Sequence, residues 1–428
     1  MTQVGGGTPS RQIGAYWGGP IPWASVKDFV EGGSEILTTQ ETITERGLRA
    51  SASNLIPPAT PLVCTRMAVG RSAMAPMPVA INQDVKALFP ARGTTGEYLL
   101  RLLAYIQPTA EANAVGSTVK GIRVQDYLSI SVPIGPASDQ PRIVAILDTL
   151  DTAIRQTEAI IEKLKLVKQG LLHDLLTRGI DDNGELRPPQ SEAPHLYKKS
   201  ALGWIPRQWQ AEALGRVLVG GTRNGLYKPS AHHGRGPLMV QMGGMFRGDS
   251  VDFQSATRVG VTKSELNTFG LAVGDLLFAR RSLTFEGAGQ CAIVRQLPEP
   301  STFESSIVRG RVDRMRLQPE FAVLFLRGAL SSIHRRSLIR QVAVSGVSGD
   351  DIRHFIVGLP CIFEQQASID SLLSAQSRID TEALELHKRT LQKQGLLNDL
   401  LTGRVRVNPL LAQNEPRTRL KGAVGQPP

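Results

Sequence analysis

Apolar side chains recur along the chain with a helical rhythm. From residue 139 onward, Ile143, Leu147, Leu150, Ile154, Thr157, Ile161, Leu164, Lys168, Leu171 and Leu175 follow one another in alternating steps of four and three. That is a heptad seam with two polar interruptions, Thr157 and Lys168. A second stretch holds a weaker seam through Leu372, Ala375, Ile379, Leu386, Leu396 and Leu400, broken by Glu382 and Lys393. At 1.5 Å per residue, a helix of ~40 residues is roughly 60 Å long. A single apolar stripe of that length must be covered by something. Packing of each helix on its own domain is one solution. Packing of the two helices on each other as a coiled coil is the solution the seams favour.

The two stretches are copies. Lys168-Gln169-Gly170-Leu171-Leu172-His173-Asp174-Leu175-Leu176-Thr177 returns as Lys393-Gln394-Gly395-Leu396-Leu397-Asn398-Asp399-Leu400-Leu401-Thr402, 225 residues later, with only His173/Asn398 changed. At the same offset Asp139-Gln140 meets Glu364-Gln365, Ile154 meets Ile379, and Ile130 and Val132 meet Phe355 and Val357. A period this long marks a duplicated domain and not a solenoid. Each copy reads as a short apolar strand, a turn, and a long helix that opens on an acid, which suits the positive end of the helix dipole.

Two globular segments, 1–138 and 204–358, are expected to be mixed α/β domains. Gly6-Gly7-Thr8-Pro9-Ser10 aligns with Gly220-Gly221-Thr222-Arg223-Asn224 at an offset of 214, and Leu62-Val63-Cys64-Thr65-Arg66 aligns with Leu276-Leu277-Phe278-Ala279-Arg280 at that same offset. On this alignment Arg66 and Arg280 are equivalent. Gly121-Ile122 and Gly346-Val347 match at 225, so the second segment holds about eleven extra residues between. Before its Gly-Gly-Thr the second segment has Leu202-Gly203-Trp204-Ile205-Pro206-Arg207-Gln208-Trp209, for which the first segment has no counterpart, so an abbreviated first domain is expected. The helices are placed at 139–178 and 359–405, a polar connector at 179–203, and a disordered tail at 406–428.

Charge changes the picture. The chain of 428 residues has a formal net charge of +11. Both helices are close to neutral, whereas residues 204–358 carry twenty Lys/Arg against twelve Asp/Glu, and all but two of those cations are Arg. Arginine forks onto phosphates and guanine edges, so a polyanionic partner is indicated. Cys64, Cys291 and Cys361 are scattered, without metal spacing or a disulfide framework, which fits a reducing cytoplasm. The longest plain apolar run, Phe321 to Leu326, is far too short to span a bilayer.

A search for chemistry finds little. No phosphate loop with Lys-Ser/Thr and no Asn-Pro-Pro-aromatic run is present. His232-His233 has no carboxylate or cysteine at metal spacing. Asp84-Val85-Lys86 alone has the carboxylate-x-Lys spacing of a restriction-type nuclease core, and one chance match among 38 acids is unremarkable. No catalytic residue and no metal ligand are assigned.

This layout resembles the specificity subunits of type I restriction-modification systems. The resemblance rests on Gly6-Gly7-Thr8-Pro9-Ser10 with Tyr16-Trp17 and Ile21-Pro22-Trp23, on Asn82-Gln83, on Gly203-Trp204-Ile205-Pro206, on Gly274-Asp275-Leu276 through Arg280, on Glu304-Ser305-Ser306, and above all on the two copies of Lys-Gln-Gly-Leu-Leu. It implies an α+β chain: two target-recognition domains separated by two long helices in an antiparallel coiled coil, related by a pseudo-twofold. It implies a non-catalytic subunit whose domains each read one half of a bipartite, asymmetric site in double-stranded DNA. Two modification subunits and the restriction subunits are the implied partners, and S-adenosylmethionine, ATP and Mg would belong to them. Arg11, Arg66, Arg71, Lys86, Arg280, Arg281 and Arg309 are the candidate DNA contacts, each with a structural role as its alternative. Helix pairing and subunit docking fall to Ile143, Leu147, Leu150, Ile154, Ile161, Leu164, Leu171, Leu175, Leu372, Ile379, Leu386, Leu396 and Leu400. A self-contained nuclease and a basic coiled-coil scaffold for nucleic acid are the rival readings.

Overall fold

In the computed structural model of the chain, residues 1–282, 284, 287–339 and 345–407 are described. They form two compact units, 1–159 with 383–407, and 160–382. Their principal helices are α1 (Gly96–Ala112), α2 (Gln140–Thr177), α3 (Pro319–Arg327) and α4 (Ile362–Leu401). No helix among the described residues is long and apolar enough to cross a membrane.

The first unit is built on β1 (Thr2–Gly5), β2 (Leu62–Cys64) and β3 (Val85–Phe89), with β3 central and antiparallel to both neighbours. Every side chain of β2 is buried, as a continuous apolar run with packing on both faces requires. A second sheet includes Trp17–Ala24 and Val79–Ile81, paired in parallel. Beside Val63 of β2 and Leu88 of β3, α1 buries Leu99, Leu103 and Ile106, while its Tyr98 and Leu102 share a core with Ile143, Leu147 and Leu397; its N-cap Thr95 accepts from the amide of Tyr98.

The second unit repeats this plan. Its sheet runs β5 (Leu218–Asn224), β7 (Ile307–Val312), β6 (Leu276–Ala279), then Cys291–Ile293, again antiparallel around a central strand. Two further strands, β4 (Gln210–Ala213) and β8 (Ile356–Leu359), pair antiparallel below α3.

The expected connector 179–203 is part of this fold. Ile180, Arg187, Tyr197 and Leu202 are all buried. Arg187 reaches both carboxylate oxygens of Glu364 at the start of α4, at 2.5 and 3.1 Å, and Trp209 donates to the same carboxylate at 3.0 Å. The polar composition of the segment reflects this ion pair and its turns. Likewise the expected tail begins too early at 406: Arg406 pairs with Asp139 at 3.1 Å and Val407 is buried beside Tyr98 and Leu147. Residues 408–428 lie outside the described residues.

In each unit the long helices run antiparallel. In the first, Ile143 and Leu147 share a core with Leu397, Leu400 and Leu401, while Lys393 bonds Asp151 at 2.6 Å and Arg389 bonds the Thr157 hydroxyl. In the second, Leu175 packs with Leu372, and Lys168 bonds the side-chain carbonyl of Gln376. Ascending numbers on α2 thus meet descending numbers on α4. Three of the four residues that interrupt the seams, Thr157, Lys168 and Lys393, are cross-helix polar contacts. Polar groups at seam positions specify register at some cost in stability.

Candidate nucleic-acid interface

In the first unit, three loops meet at one end of the sheet. The loop after β1 is held by the amide of Gly7 donating to the Ile81 carbonyl at 3.1 Å. A Cβ on Gly6 would stand 2.0 Å from that carbonyl, so only glycine fits. The loop after β2 is held by Thr65, whose amide and hydroxyl both donate to the Asp84 carbonyl, at 2.8 and 3.1 Å. The Thr8 hydroxyl donates to the Gln83 side chain at 2.5 Å and closes the group. Arg66 emerges here with 58% of its side chain exposed, 3.6 Å from a largely buried Asp84 carboxylate.

Arg11 is equally exposed. Its guanidinium lies 4.2 Å from the Trp17 ring centroid and is paired with Glu41. That hydrogen bond raises the pKa of Arg11 and lowers that of Glu41. Two other candidates are engaged internally. Arg71 bonds Glu31 at 2.9 Å. The Lys86 ammonium donates to the Gln83 carbonyl at 2.6 Å, and burial pulls its pKa down.

The second unit builds the same corner. The amide of Leu226 donates to the Phe303 carbonyl at 2.9 Å, and a Cβ on Gly225 would stand 2.1 Å from the Glu304 carbonyl. Gly225, not Gly220, therefore does the work of Gly6. The Gly-Gly-Thr match at offset 214 is five residues out of structural register; Gly220 and Gly221 sit instead within β5, at positive φ, where its pairing with β7 shifts.

The arginine pairing shifts as well. Arg66 bridges Gly121, and the Ile122 amide donates to the Thr65 carbonyl at 2.9 Å. Arg281 pairs with Gly346, and the Val347 amide donates to the Arg280 carbonyl at 2.9 Å. The counterpart of Arg66 is thus Arg281, and that of Arg280 is Thr65, because β6 is one residue longer than β2. Arg281 is exposed and Arg280 is half-buried.

Arg309 is withdrawn from solvent altogether. Its side chain is 8% exposed, donates to the carbonyls of Gly270 and Thr268, and lies 5.6 Å from the Phe303 ring. A guanidinium so enclosed cannot meet a phosphate, which removes Arg309 from the candidates. Exposed groups near the corner that the sequence did not single out are Arg223, over Phe269, and Tyr227, with 77% exposure. The polar, glycine-punctuated run between Asn224 and Gly236 was the available signal.

The seam residues lie on the covered side of their helices. Ile143, Leu147, Ile161, Leu175, Leu372, Ile379 and Leu400 are buried, and Leu150, Ile154, Leu164, Leu171, Leu386 and Leu396 are half-buried.

Comparison with known proteins adds the family. Residues 3–166 match the model of the type I restriction modification DNA specificity domain. The type I restriction enzyme MjaIX specificity subunit of Methanocaldococcus jannaschii is 27% identical over 221 residues, 50% of this chain and 49% of that one. The EcoR124I/EcoR124II specificity subunit of Escherichia coli is 31% identical over 170 residues, 38% of this chain and 42% of that one. Residues 3–166 thus carry a match to the specificity domain of type I restriction-modification systems, and the chain is similar to specificity subunits of those systems. The alignments with those two specificity subunits span half or less of their length. A solved chain from work on complex assembly and conformational transition of the type I R-M system superposes with a TM-score of 0.59 at 14% identity, covering 94% of this chain and 98% of that one. At that identity the likeness bears on the fold. Arg66 and Arg281 mark one corner twice, once in each unit.

Proposed function

We propose that the chain is the sequence-specific DNA-binding subunit of a type I restriction-modification complex. Each globular segment reads one half of a bipartite, asymmetric site in double-stranded DNA. The paired helices set the gap between the halves and dock two modification subunits; restriction subunits join through these. In this reading the chain makes and breaks no bond, and S-adenosylmethionine, ATP and Mg act in the partner subunits.

The observation that carries the reading is the exposed arginine placed identically in two duplicated units, Arg66 opposite Gly121 and Arg281 opposite Gly346. A duplicated fold with divergent loops suits the reading of two different half-sites. Exposed arginines beside backbone amides and aromatic rings suit phosphate contact with base readout nearby. The test is methylome sequencing of cells that carry this chain with its modification subunit. A bipartite methyladenine motif with a fixed gap is expected. A continuous motif, no motif, or DNA cleavage by the purified chain with Mg²⁺ alone would overturn the proposal.

A further inference from the structure

The two corners share a backbone but not a charge. The Thr65 amide donates to the Asp84 carbonyl at 2.8 Å, and the Arg280 amide donates to the Ser306 carbonyl at 2.9 Å. Ser306 therefore stands in the second unit where Asp84 stands in the first. In each unit the exposed arginine of the corner comes next in the chain, Arg66 or Arg281. The first unit thus has an acid at a place where the second has a hydroxyl.

The acid is built into its surroundings. The Asp84 side chain is 12% exposed. Its own amide donates to the Asn82 side chain at 3.0 Å, and its Oδ2 accepts from the Gln83 side chain at 3.2 Å. Its Oδ1 is buried and has no hydrogen-bond partner among the described residues. Nη1 of Arg66 faces that oxygen at 3.6 Å, just beyond a hydrogen bond. Lys86 does not compete for it, because its ammonium donates to the Gln83 carbonyl at 2.6 Å. A buried carboxylate oxygen without a donor is costly. A slight swing of the exposed guanidinium supplies the donor, so the carboxylate defines a preferred setting for Arg66.

Charge and shape say what that setting does. An arginine beside a carboxylate adds little net charge to the surface, and attraction to phosphates follows the cations that neutralise them. A guanidinium held on one side keeps its remaining N–H groups in a fixed fork, and such a fork matches the O6 and N7 acceptors of guanine. We propose that Asp84 is a positioning residue that turns Arg66 from phosphate toward the major-groove edge of a guanine, so that the half-site read by the first unit contains a G·C pair at a fixed place. Arg281, with Ser306 in the place of the acid, meets phosphate instead. This rests on the reading of the two corners as the DNA interface.

The test is binding of the full chain, assembled with its modification subunits, to a library of random DNA duplexes. The readouts are the sequences selected and the salt dependence of affinity. The native chain should select a guanine at one fixed place in one half-site. Arg66→Lys keeps the charge but not the fork, so preference for that guanine should fall by about tenfold while the salt slope stays unchanged. Asp84→Asn frees Arg66 as a mobile cation; the same preference should fall by about tenfold and the salt slope should steepen by about one. Arg281→Ala should lower the slope by about one and leave the guanine preferred. A slope or a guanine preference that Asp84→Asn leaves unchanged overturns the proposal, as does a selection with no guanine that responds to Arg66→Lys. If Arg281→Ala also leaves affinity and slope unchanged, the corners do not meet DNA, and the reading beneath the proposal falls with it.

Discussion

Arg281 and Arg309 look alike in the sequence, two arginines of one basic segment, yet their surroundings assign them opposite duties. Arg281→Ala removes an exposed charge at the corner shared with Arg66. We predict weaker DNA binding, a salt dependence whose slope falls by about one, and an unchanged melting temperature. Arg309→Ala takes a donor from the Thr268 carbonyl, leaves the Gly270 carbonyl bonded to Arg311 at 3.1 Å, and removes the guanidinium packed beside Phe303. It should destabilise the second unit by about 2 kcal/mol in denaturant titration, since losing hydrogen bonds from a charged, buried donor costs on that order. The reverse pattern would show that the exposure of the two residues is misassigned. The cysteines divide the same way. Burial pushes the thiols of Cys64 and Cys291 well above their ordinary range, whereas Cys361 is exposed. In the native protein at neutral pH, a maleimide should modify Cys361 alone, with all three reacting after unfolding; early labelling of Cys64 or Cys291 would contradict the packing of β2 or of Cys291–Ile293. None of these distinctions was available from spacing. Counting from Leu62 and Leu276 paired Arg66 with Arg280, and a single extra residue in β6 was enough to transfer the equivalence to Arg281.

Helices were more legible than loops, for a physical reason. A heptad seam is a property of many positions at once, so one polar residue cannot hide it, and all thirteen seam residues named from the pattern are buried or half-buried. The interruptions were legible as interruptions but not as contacts, because their partners lie more than two hundred residues away. The repeated lysine illustrates this. Lys393 meets Asp151, which Arg101 also reaches at 2.5 Å, while Lys168 meets Gln376, the residue at Asp151's position in the second copy. The same lysine is thus part of a buried charge network in one unit and of a single charge-to-amide bond in the other. Asp151→Ala leaves the Arg101 guanidinium, 7% exposed, with only the exposed Asp148 as counter-ion, and takes the carboxylate away from Lys393. A loss of about 3 kcal/mol in the stability of the first unit is expected, because removing the anion from a buried network leaves an excess of positive charge there. Gln376→Ala takes away one bond to a half-buried lysine and should cost no more than about 1 kcal/mol. Equal losses for the two variants would mean that the helix pair, and not the surrounding charge, sets the value of this contact.

At the scale of the whole molecule, the proposed function makes the helix pair a spacer, and spacers are tested by length. The two helices have cross-contacts on either side of residues 159–160 in α2 and 383–385 in α4: Thr157 with Arg389 in the first unit, and Lys168 with Gln376 in the second. One heptad inserted after Ala159 and one inserted after Glu382 would leave both sets of contacts intact and keep the seam in phase, since seven residues restore the same face. Each helix would lengthen by about 10 Å, at 1.5 Å per residue. B-DNA rises 3.4 Å per base pair, so that increment corresponds to about three base pairs. We predict that methylation mapping of the doubly inserted chain finds both half-sites unchanged and the gap between them about three base pairs longer. A single insertion, in α2 alone, should behave differently: with one end of the helix pair in register the other is seven residues out, so that either Lys168 or Thr157 loses its partner, and modification should be abolished. If the double insertion alters either half-site, base reading extends into the helices and they are not a passive spacer. If it leaves the gap unchanged, the distance between half-sites is set by the partner subunits and the role proposed for the seam is wrong.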